Sequence, residues 1–273
     1  MPVINTNTNA AYAQNALKTN SKVMSTAMHQ LATGNRINQA RDDAAGLSIS
    51  QNMTSQVRGL NQAARNVNDG INLLQTADGA LVETSNMLQR MRELAVQSAN
   101  ATNSSSQRIY LNREFTSLTD EITRIAGNTQ WNNASVFGTS ALANTMIFQA
   151  GINSGQTISV VISAMDAVNL GIGSAAITGY TSAAAAIGLL DTAIDAVNSS
   201  RSTMGATMNQ LTYSADNFTN ISTNIAASRS TVMDTDYATA SATLSKSQIV
   251  QQAATAMLAQ ANQQPQSVLS LLK

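Results

Sequence analysis

The residue types that carry most enzyme and metal chemistry are scarce in this sequence. The 273-residue chain has one histidine, His29, and no cysteine. A catalytic zinc site needs about three protein ligands, usually including histidine, so we expect no such site. A single histidine also supports no Ser–His–acid arrangement that we can propose. The absence of cysteine excludes disulfides and thiolate chemistry. We therefore expect no enzyme, no metal site and no cofactor.

The remaining polar motifs favour structural roles. Arg41, Asp42 and Asp43 form a compact charge cluster ahead of Ala-Ala-Gly. Acidic residues near a helix start interact favourably with the helix dipole, so this cluster is compatible with a helix cap. The pair Met204 and Met208 is more typical of core packing than of redox chemistry. Asn-x-Ser/Thr triplets arise readily in a chain this rich in Asn, Ser and Thr, and are weak evidence for glycosylation.

Composition narrows the range of partners. The formal net charge is +0 and charged residues make up 11% of the chain, against roughly 25% in typical globular domains. A polyanion partner requires a basic stripe, so the charge argues against nucleic acid. A polar surface with few charges favours association between copies. No apolar run approaches the ~18 residues that span a bilayer. Residues 1–14 lack the pattern of a cleaved secretory signal.

Both ends of the chain show the spacing of a coiled-coil seam. The N-terminal seam comprises Ala10, Ala13, Leu17, Asn20, Met24, Ala27 and Leu31. The C-terminal seam comprises Ser247, Val250, Ala254, Met257, Ala261, Gln264, Val268 and Leu271. Pro265 lies inside the second run, so we expect a kink or a break there.

These terminal seams are weak, because several positions hold Ala, Asn, Ser or Gln. A large buried aliphatic side chain contributes roughly 1.5–3 kcal/mol, and alanine contributes much less. We predict that both ends are disordered in the monomer and fold on assembly, when neighbouring copies supply more surface.

The middle of the chain carries stronger patterns. One long stripe, with a phase slip near Ala77, comprises Val57, Leu60, Ala64, Val67, Ile71, Leu74, Ala77, Leu81, Thr84, Leu88, Met91 and Ala95. A shorter stripe comprises Ile109, Phe115, Leu118, Ile122 and Ile125. A third comprises Leu190, Ile194, Val197, Arg201, Met204, Met208, Leu211, Ala215, Phe218, Ser222 and Ile225. Such stripes predict three packed helices.

Residues 145–149 and 157–163 are β-rich and flank a run of Gly, Asn and Ser. This pattern predicts a β-hairpin. The predicted fold is mainly α: an elongated antiparallel helical bundle or coiled coil with a small β-hairpin region and with the two termini paired at one end.

Four separate segments of the sequence match the motifs of one protein family. Residues 31–50 read LATGNRINQARDDAAGLSIS and are similar to the N-terminal flagellin signature. Residues 88–100 read LQRMRELAVQSAN and resemble the long core helix. Residues 149–158 are similar to the core hairpin, and residues 249–272 resemble the flagellin C-terminus. The four segments occur in the family's order.

The resemblance implies a structural subunit of the flagellar filament. Residues 1–44 and 232–273 would form an inner coiled-coil domain, and residues 45–231 an outer core-tube domain with the hairpin near 130–180. The chain is too short for the larger surface domains of typical flagellins. The family reading of Arg41, Asp42 and Asp43 is an interdomain hinge. Leu17, Met24, Leu31, Val250, Met257, Val268 and Leu271 would form the assembly seam.

The resemblance also implies a route and partners. Flagellins leave the cell unfolded by type III export without a cleaved signal, and end in the extracellular filament. The implied partners are further copies of the chain, an export chaperone on residues 236–273, and the cap and hook-junction proteins. A Toll-like receptor would contact positions on two core helices, which match Gln89, Arg90, Glu93, Leu94, Gln97 and Glu114. These residues are equally compatible with a subunit interface.

Two alternatives stay open at this point. A hook–filament junction protein shares terminal helices of this kind. A surface-displayed flagellin homologue could bind a glycan or a host surface through residues 129–180, the stretch least like the family.

Overall fold

The structure, a computed structural model, describes residues 6–138 and 144–270, with side chains described as far as Gln263. Within these residues the chain forms five α-helices and four short β-strands. The helices are α1 (Thr8–Thr33), α2 (Ala44–Ser98), α3 (Ser105–Asn128), α4 (Tyr180–Met233) and α5 (Tyr237–Ser270). The strands are β1 (Gln130–Trp131), β2 (Ala134–Ser135), β3 (Asn144–Gln149) and β4 (Thr157–Ile162). The predicted mainly α class with a small hairpin is confirmed.

The chain divides into two compact units. The terminal unit comprises Met1–Val57 and Thr223–Lys273, and the central unit comprises Arg58–Ser222. Both boundaries lie inside long helices, α2 and α4, and differ from the 44/45 and 231/232 boundaries expected from the resemblance. An uninterrupted helix has no sequence signal at such a boundary, because the change lies only in its packing partners.

The central unit is an antiparallel packing of α2, α3 and α4 around an apolar core. Arg201 of α4 pairs with Asp78 of α2 at 2.8 Å, and Arg92 of α2 pairs with Asp191 of α4 at 2.6 Å. All predicted stripe positions on α2 and α4 are buried or half-buried. On α3 the first stripe position was wrong, since Ile109 is exposed and Leu111 packs against the core instead.

The predicted hairpin is also present, formed by β3 and β4 in antiparallel register with Asn144 opposite Ile162. It packs against α2 at two glycines. A Cβ on Gly59 would lie 2.8 Å from Ile152, and one on Gly70 would lie 2.9 Å from the ring of Phe148. These glycines therefore allow the hairpin to approach the helix backbone closely.

Residues 163–179 connect the hairpin to α4 without forming a helix or a strand. They nevertheless contribute five buried side chains: Met165, Ala167, Leu170, Ile172 and Ile177. The backbone of Ile177 is held on both sides, because its carbonyl accepts from Ser98 Oγ at 2.5 Å and its N–H donates to Asn112 Oδ1 at 2.9 Å. This segment closes part of the central core.

The terminal unit contains α1, α5 and the adjoining ends of α2 and α4. Of the kink or break expected at Pro265, the break does not occur, because helix α5 extends to Ser270. Among the described residues, no helix combines the length and the apolar character needed to cross a membrane.

Candidate assembly surface on the terminal helix pair

The candidate site is built by α1 and α5, which pack side by side in antiparallel orientation. Asn7, at the start of α1, donates through Nδ2 to the carbonyl of Ala261 at 2.8 Å. Asn20 donates to the carbonyl of Ser247 at 2.7 Å. Moving along α1 from Asn7 to Asn20, the contacted residue on α5 moves back from Ala261 to Ser247, so the two helices are antiparallel.

On α1 the burial pattern follows the heptad spacing. All seven seam positions from Ala10 to Leu31 are buried or half-buried, and the positions between them are exposed as far as His29. Leu17, Met24 and Leu31 are half-buried in this helix pair. His29 itself lies on the exposed side of α1.

On α5 the structure corrects two of the seam positions. Val250 and Met257 are 39% and 65% exposed, so neither is buried against α1. As far as Gln263, the less exposed positions of α5 are Ala240, Thr243, Leu244, Ser247, Gln251, Ala254, Leu258 and Ala261. The side chain of Val268 and all of Leu271 lie outside the described residues.

The physical reason is an ambiguity of the heptad. Ser247, Ala254 and Ala261 belong to both patterns, so the intervening position can follow by three or by four residues. Of the two possible sets of intervening positions, Val250 and Met257 are exposed, and Gln251 and Leu258 are the less exposed set. Helix α5 thus carries apolar side chains on two adjacent faces, and α1 covers only one of them.

The uncovered side forms a shallow groove along the pair, with a volume of about 580 Å³. It is lined by residues of both helices: Asn9, Tyr12, Ala13, Ala16, Ala254, Met257, Gln260 and Ala261. Tyr12 and Met257 are 76% and 65% exposed. We call this groove and its two exposed apolar side chains the apolar flank. Sequence reasoning missed Tyr12, although an aromatic residue in a chain with 4% aromatics is a signal.

Charge is distributed unevenly along the chain. The segments of α1 and α5 contain no Asp or Glu, and their only Lys or Arg residues are Lys18, Lys22 and Lys246. All carboxylate side chains of the chain lie between Asp42 and Asp236. The net charge of +0 therefore conceals a terminal helix pair that carries cations alone. The apolar flank has no charged residue among those that line it.

The charge cluster after α1 acts locally as a helix cap. Asp43 Oδ1 accepts the N–H of Gly46 at 2.8 Å, at the first turn of α2. Asp42 Oδ2 accepts the N–H groups of Asn38 and Gln39 at 3.2 and 3.0 Å. The Nε of Arg41 lies 3.9 Å from Asp42. These contacts support the cap interpretation, and the hinge role of the three residues stays a prediction.

The positions predicted for receptor contact lie in the central unit. Arg90 pairs with Glu93 at 2.9 Å and with Glu114 at 3.0 Å, and both partners raise the pKa of its guanidinium. Gln89 and Gln97 are exposed and line a shallow depression of about 500 Å³ together with Arg92, Glu93 and Val96. Leu94 is different. It is 1% exposed and belongs to the core, so the structure corrects its assignment to a contact surface.

Comparison with known proteins places both ends of the chain in one family. Residues 4–141 match the bacterial flagellin N-terminal helical region, and residues 187–272 match the bacterial flagellin C-terminal helical region. A flagellin of Halalkalibacterium halodurans is 44% identical over 273 residues, covering 99% of this chain and 100% of that protein. The flagellar filament 33 kDa core protein of Treponema phagedenis is 40% identical and also covers 99% of this chain.

The fold agrees with the sequence comparison. The crystal structure of Bacillus cereus flagellin is 38% identical, with a TM-score of 0.52, and covers 60% of this chain and 94% of that one. Two family regions and full-length relatives thus agree with the helical architecture, and the chain belongs to the bacterial flagellin family.

Proposed function

We propose that this flagellin, a structural subunit of the bacterial flagellar filament, polymerises through the apolar flank of its terminal helix pair. The observation that carries the proposal is the exposure of Tyr12 and Met257 along a groove to which α1 and α5 both contribute. Exposed apolar surface of this kind is typical of protein–protein contact sites.

The weakness of the helix pair supports the same conclusion. Its less exposed positions on α5 are mostly Ala, Ser and Gln, and few large aliphatic side chains lie between the helices. Burial of small side chains contributes little to stability. Contact with further copies would cover the apolar flank and add the missing buried surface. The terminal helices would then fold stably only in the polymer, as we predict for coupled folding and binding.

The experiment is electron microscopy of the purified full-length chain after addition of a precipitating salt. Met257→Asp should abolish filaments while the central unit stays folded, because a carboxylate is costly to bury without a partner. Ala256→Asp is the matched control, since it introduces the same charge at the adjacent exposed position outside the groove. Normal filaments from the Met257 variant would contradict the assignment of the flank.

The family supplies the further partners of the proposal. We infer that the chain leaves the cell unfolded through the flagellar export apparatus, without cleavage of a signal. A chaperone would cover residues 236–273 before export, and cap and hook-junction proteins would guide assembly. The exposed apolar side chains of α5, among them Ile249 and Met257, suit such a chaperone contact.

Recognition by a host Toll-like receptor is a separate proposal. The exposed polar residues Gln89, Arg90, Glu93, Gln97 and Glu114 support it, because they lie together on α2 and α3 of the central unit. Arg90→Ala should weaken receptor binding in a pull-down with the receptor ectodomain. Arg124→Ala, which removes an arginine paired with Glu121 elsewhere on α3, serves as the control. Equal binding by both variants would count against this site.

A further inference from the structure

The shape of the apolar flank depends on the register of α1 against α5. Tyr12 and Ala16 reach the groove from one helix, and Ala254 and Met257 reach it from the other. A slip of α5 by one heptad would move its side chains by ~10 Å along α1. The groove would then be lined by different residues of α5.

One column of side chains on the packed face of α5 does little to specify this register. The positions Ala240, Ser247, Ala254 and Ala261 of α5 are spaced by seven residues and all hold small side chains. After a slip of seven residues, a small side chain again lies where a small side chain was. Coiled coils commonly use differences in side-chain size to select one alignment. The four small residues of this column hardly differ in size, so they do not select one.

Ion pairs at the edges of the seam are a second device for setting alignment. They are impossible between α1 and α5, because neither segment contains Asp or Glu. Polar residues within the seam are a third device. Asn7 and Asn20 donate across the seam, but their acceptors are the carbonyls of Ala261 and Ser247. Every residue of α5 has a carbonyl, so these bonds do not distinguish one heptad from the next.

A short backbone pairing lies where the two helices meet. We call the pairing of residues 34–36 with residues 232–235 the clasp. Arg36 donates its N–H to the carbonyl of Met233 at 2.6 Å, and Thr235 donates to the carbonyl of Gly34 at 2.9 Å. Asn35 and Asp234 form an antiparallel β-bridge between them. The guanidinium of Arg36 adds a bond to the carbonyl of Val232 at 2.7 Å.

The clasp is tied closely to both helices. Gly34 directly follows the last residue of α1, and Thr235 precedes the first residue of α5 by two positions. Gly34 has φ +73°, and a Cβ there would lie 3.0 Å from Tyr237 Oη. The N–H of Gly34 also caps α1 by donating to the carbonyl of Gln30 at 2.9 Å. Both the left-handed conformation and the close approach of Tyr237 favour glycine at this position.

We propose that the clasp, and Gly34 within it, sets the register of α1 against α5 and so positions the apolar flank for assembly. Gly34 is a positioning residue, since it does not line the groove itself. The assembly role of the flank rests on the proposed function, whereas the register has a readout of its own, intramolecular cross-linking, which is scored separately from filament formation.

The chain has no cysteine, so engineered pairs report register by disulfide cross-linking. Asn20→Cys with Ser247→Cys reports the observed alignment, because Asn20 contacts Ser247 directly. Asn20→Cys with Ala254→Cys reports a slip of one heptad. Each pair is measured in the full-length chain in the polymerising salt, and only intramolecular cross-links are counted.

Gly34→Val should lower the ratio of in-register to slipped cross-links about tenfold, because a β-branched residue strongly disfavours the left-handed conformation. Gly34→Asn combined with Tyr237→Phe should restore the ratio, since Asn tolerates that conformation and Phe removes the oxygen atom near the new Cβ. Gly79→Val is the matched control, because a Cβ at that exposed helical glycine has no neighbour within 4 Å.

An unchanged ratio in Gly34→Val would overturn the proposal, as would a loss of in-register cross-links in the Gly79 control. Electron microscopy of the same Gly34 variants then links register to assembly. Filaments from a chain with slipped cross-links would show that register does not matter for the flank. Filaments from Met257→Asp would instead refute the flank, and would leave the cross-linking result unaffected.

Discussion

Single carboxylates stabilise the helix starts around the clasp. Asp43 caps α2 through the N–H of Gly46. Asp236 caps α5 by accepting from Thr239 Oγ1 at 2.7 Å and from the N–H groups of Ala238 and Thr239 at 2.9 and 3.3 Å. These bonds, led by that from the Thr239 hydroxyl, lower the pKa of Asp236. The same hydrogen bonds therefore stabilise both the ionised carboxylate of Asp236 and the first turn of α5.

The start of α5 should therefore lose stability in acid. Because the folded-state pKa of Asp236 lies below that of the unfolded chain, the folded state binds fewer protons and gains stability as pH rises. The stability that Asp236 contributes is fully present above the ordinary Asp pKa of about 3.9. It is lost as the pH falls through the lower folded-state pKa. Hydrogen-exchange protection of the amides of Ala238 and Thr239, followed against pH in the assembled filament, measures this loss of stability.

Asp236→Asn separates titration from capping, since Asn is also a good cap but does not ionise. In this variant the protection at Thr239 should change less across the same acid range than in the parent chain. An equally steep acid loss in the variant would show that other groups control the start of α5.

At the scale of elements, the contact between the hairpin and α2 depends on residues that weaken a helix. Glycine costs ~1 kcal/mol relative to alanine in a helix interior. Glycine is nevertheless favoured at positions 59 and 70, because Ile152 and Phe148 occupy the space that a Cβ on Gly59 or Gly70 would need. Gly79, on the same helix, has no such neighbour. The three glycines look alike in the sequence, and only the packing of the hairpin distinguishes them.

Alanine substitutions should distinguish them in solution. Gly79→Ala should raise the free energy of unfolding by about 0.5–1 kcal/mol, since it removes the helix penalty of glycine. Gly70→Ala should show no gain, or a loss, because the new methyl group forces the ring of Phe148 to move. Thermal denaturation followed by circular dichroism gives both values. Equal gains would mean that the hairpin does not approach α2 as closely as the structure shows.

At the scale of the whole molecule, the two units differ in how they are stabilised. The central unit has a contiguous apolar core that includes Leu88, Phe115, Ile122 and Leu190, all fully buried. The terminal helix pair has a seam of mainly small or half-buried side chains and an apolar flank that remains uncovered. We therefore expect the central unit to fold alone and the terminal pair to need further copies.

Truncation tests this division. A chain of residues 45–231 should unfold at nearly the same temperature as the full-length monomer, because it retains the central core. It should form no filaments. In the full-length monomer the amides of α1 and α5 should exchange rapidly, and they should become protected on polymerisation. Slow exchange of these amides in the monomer would contradict the proposed folding on assembly.

Much of the fold could be predicted because local spacing carries it. The stripes on α2 and α4 hold large side chains over many turns, and every predicted position is at least half-buried. The hairpin strands agree with the structure to within one residue at their ends. The short strands β1 and β2 were missed, since two residues carry no period. Their turn requires Asn132 and Asn133 at positive φ, which Asn tolerates better than most residues.

The sequence by itself determined the helical class, the long central stripes and the family, because side-chain period and motif order are local properties of the chain. Only the tertiary structure decided which face of α5 packs on α1. Val250 and Met257 fit the heptad as well as Gln251 and Leu258 do, and the antiparallel partner selects between them. The tertiary structure also buried Leu94 among its polar neighbours and brought Gly34 beside Tyr237. Contacts between residues about 200 positions apart depend on the folded path of the chain, which no local period encodes.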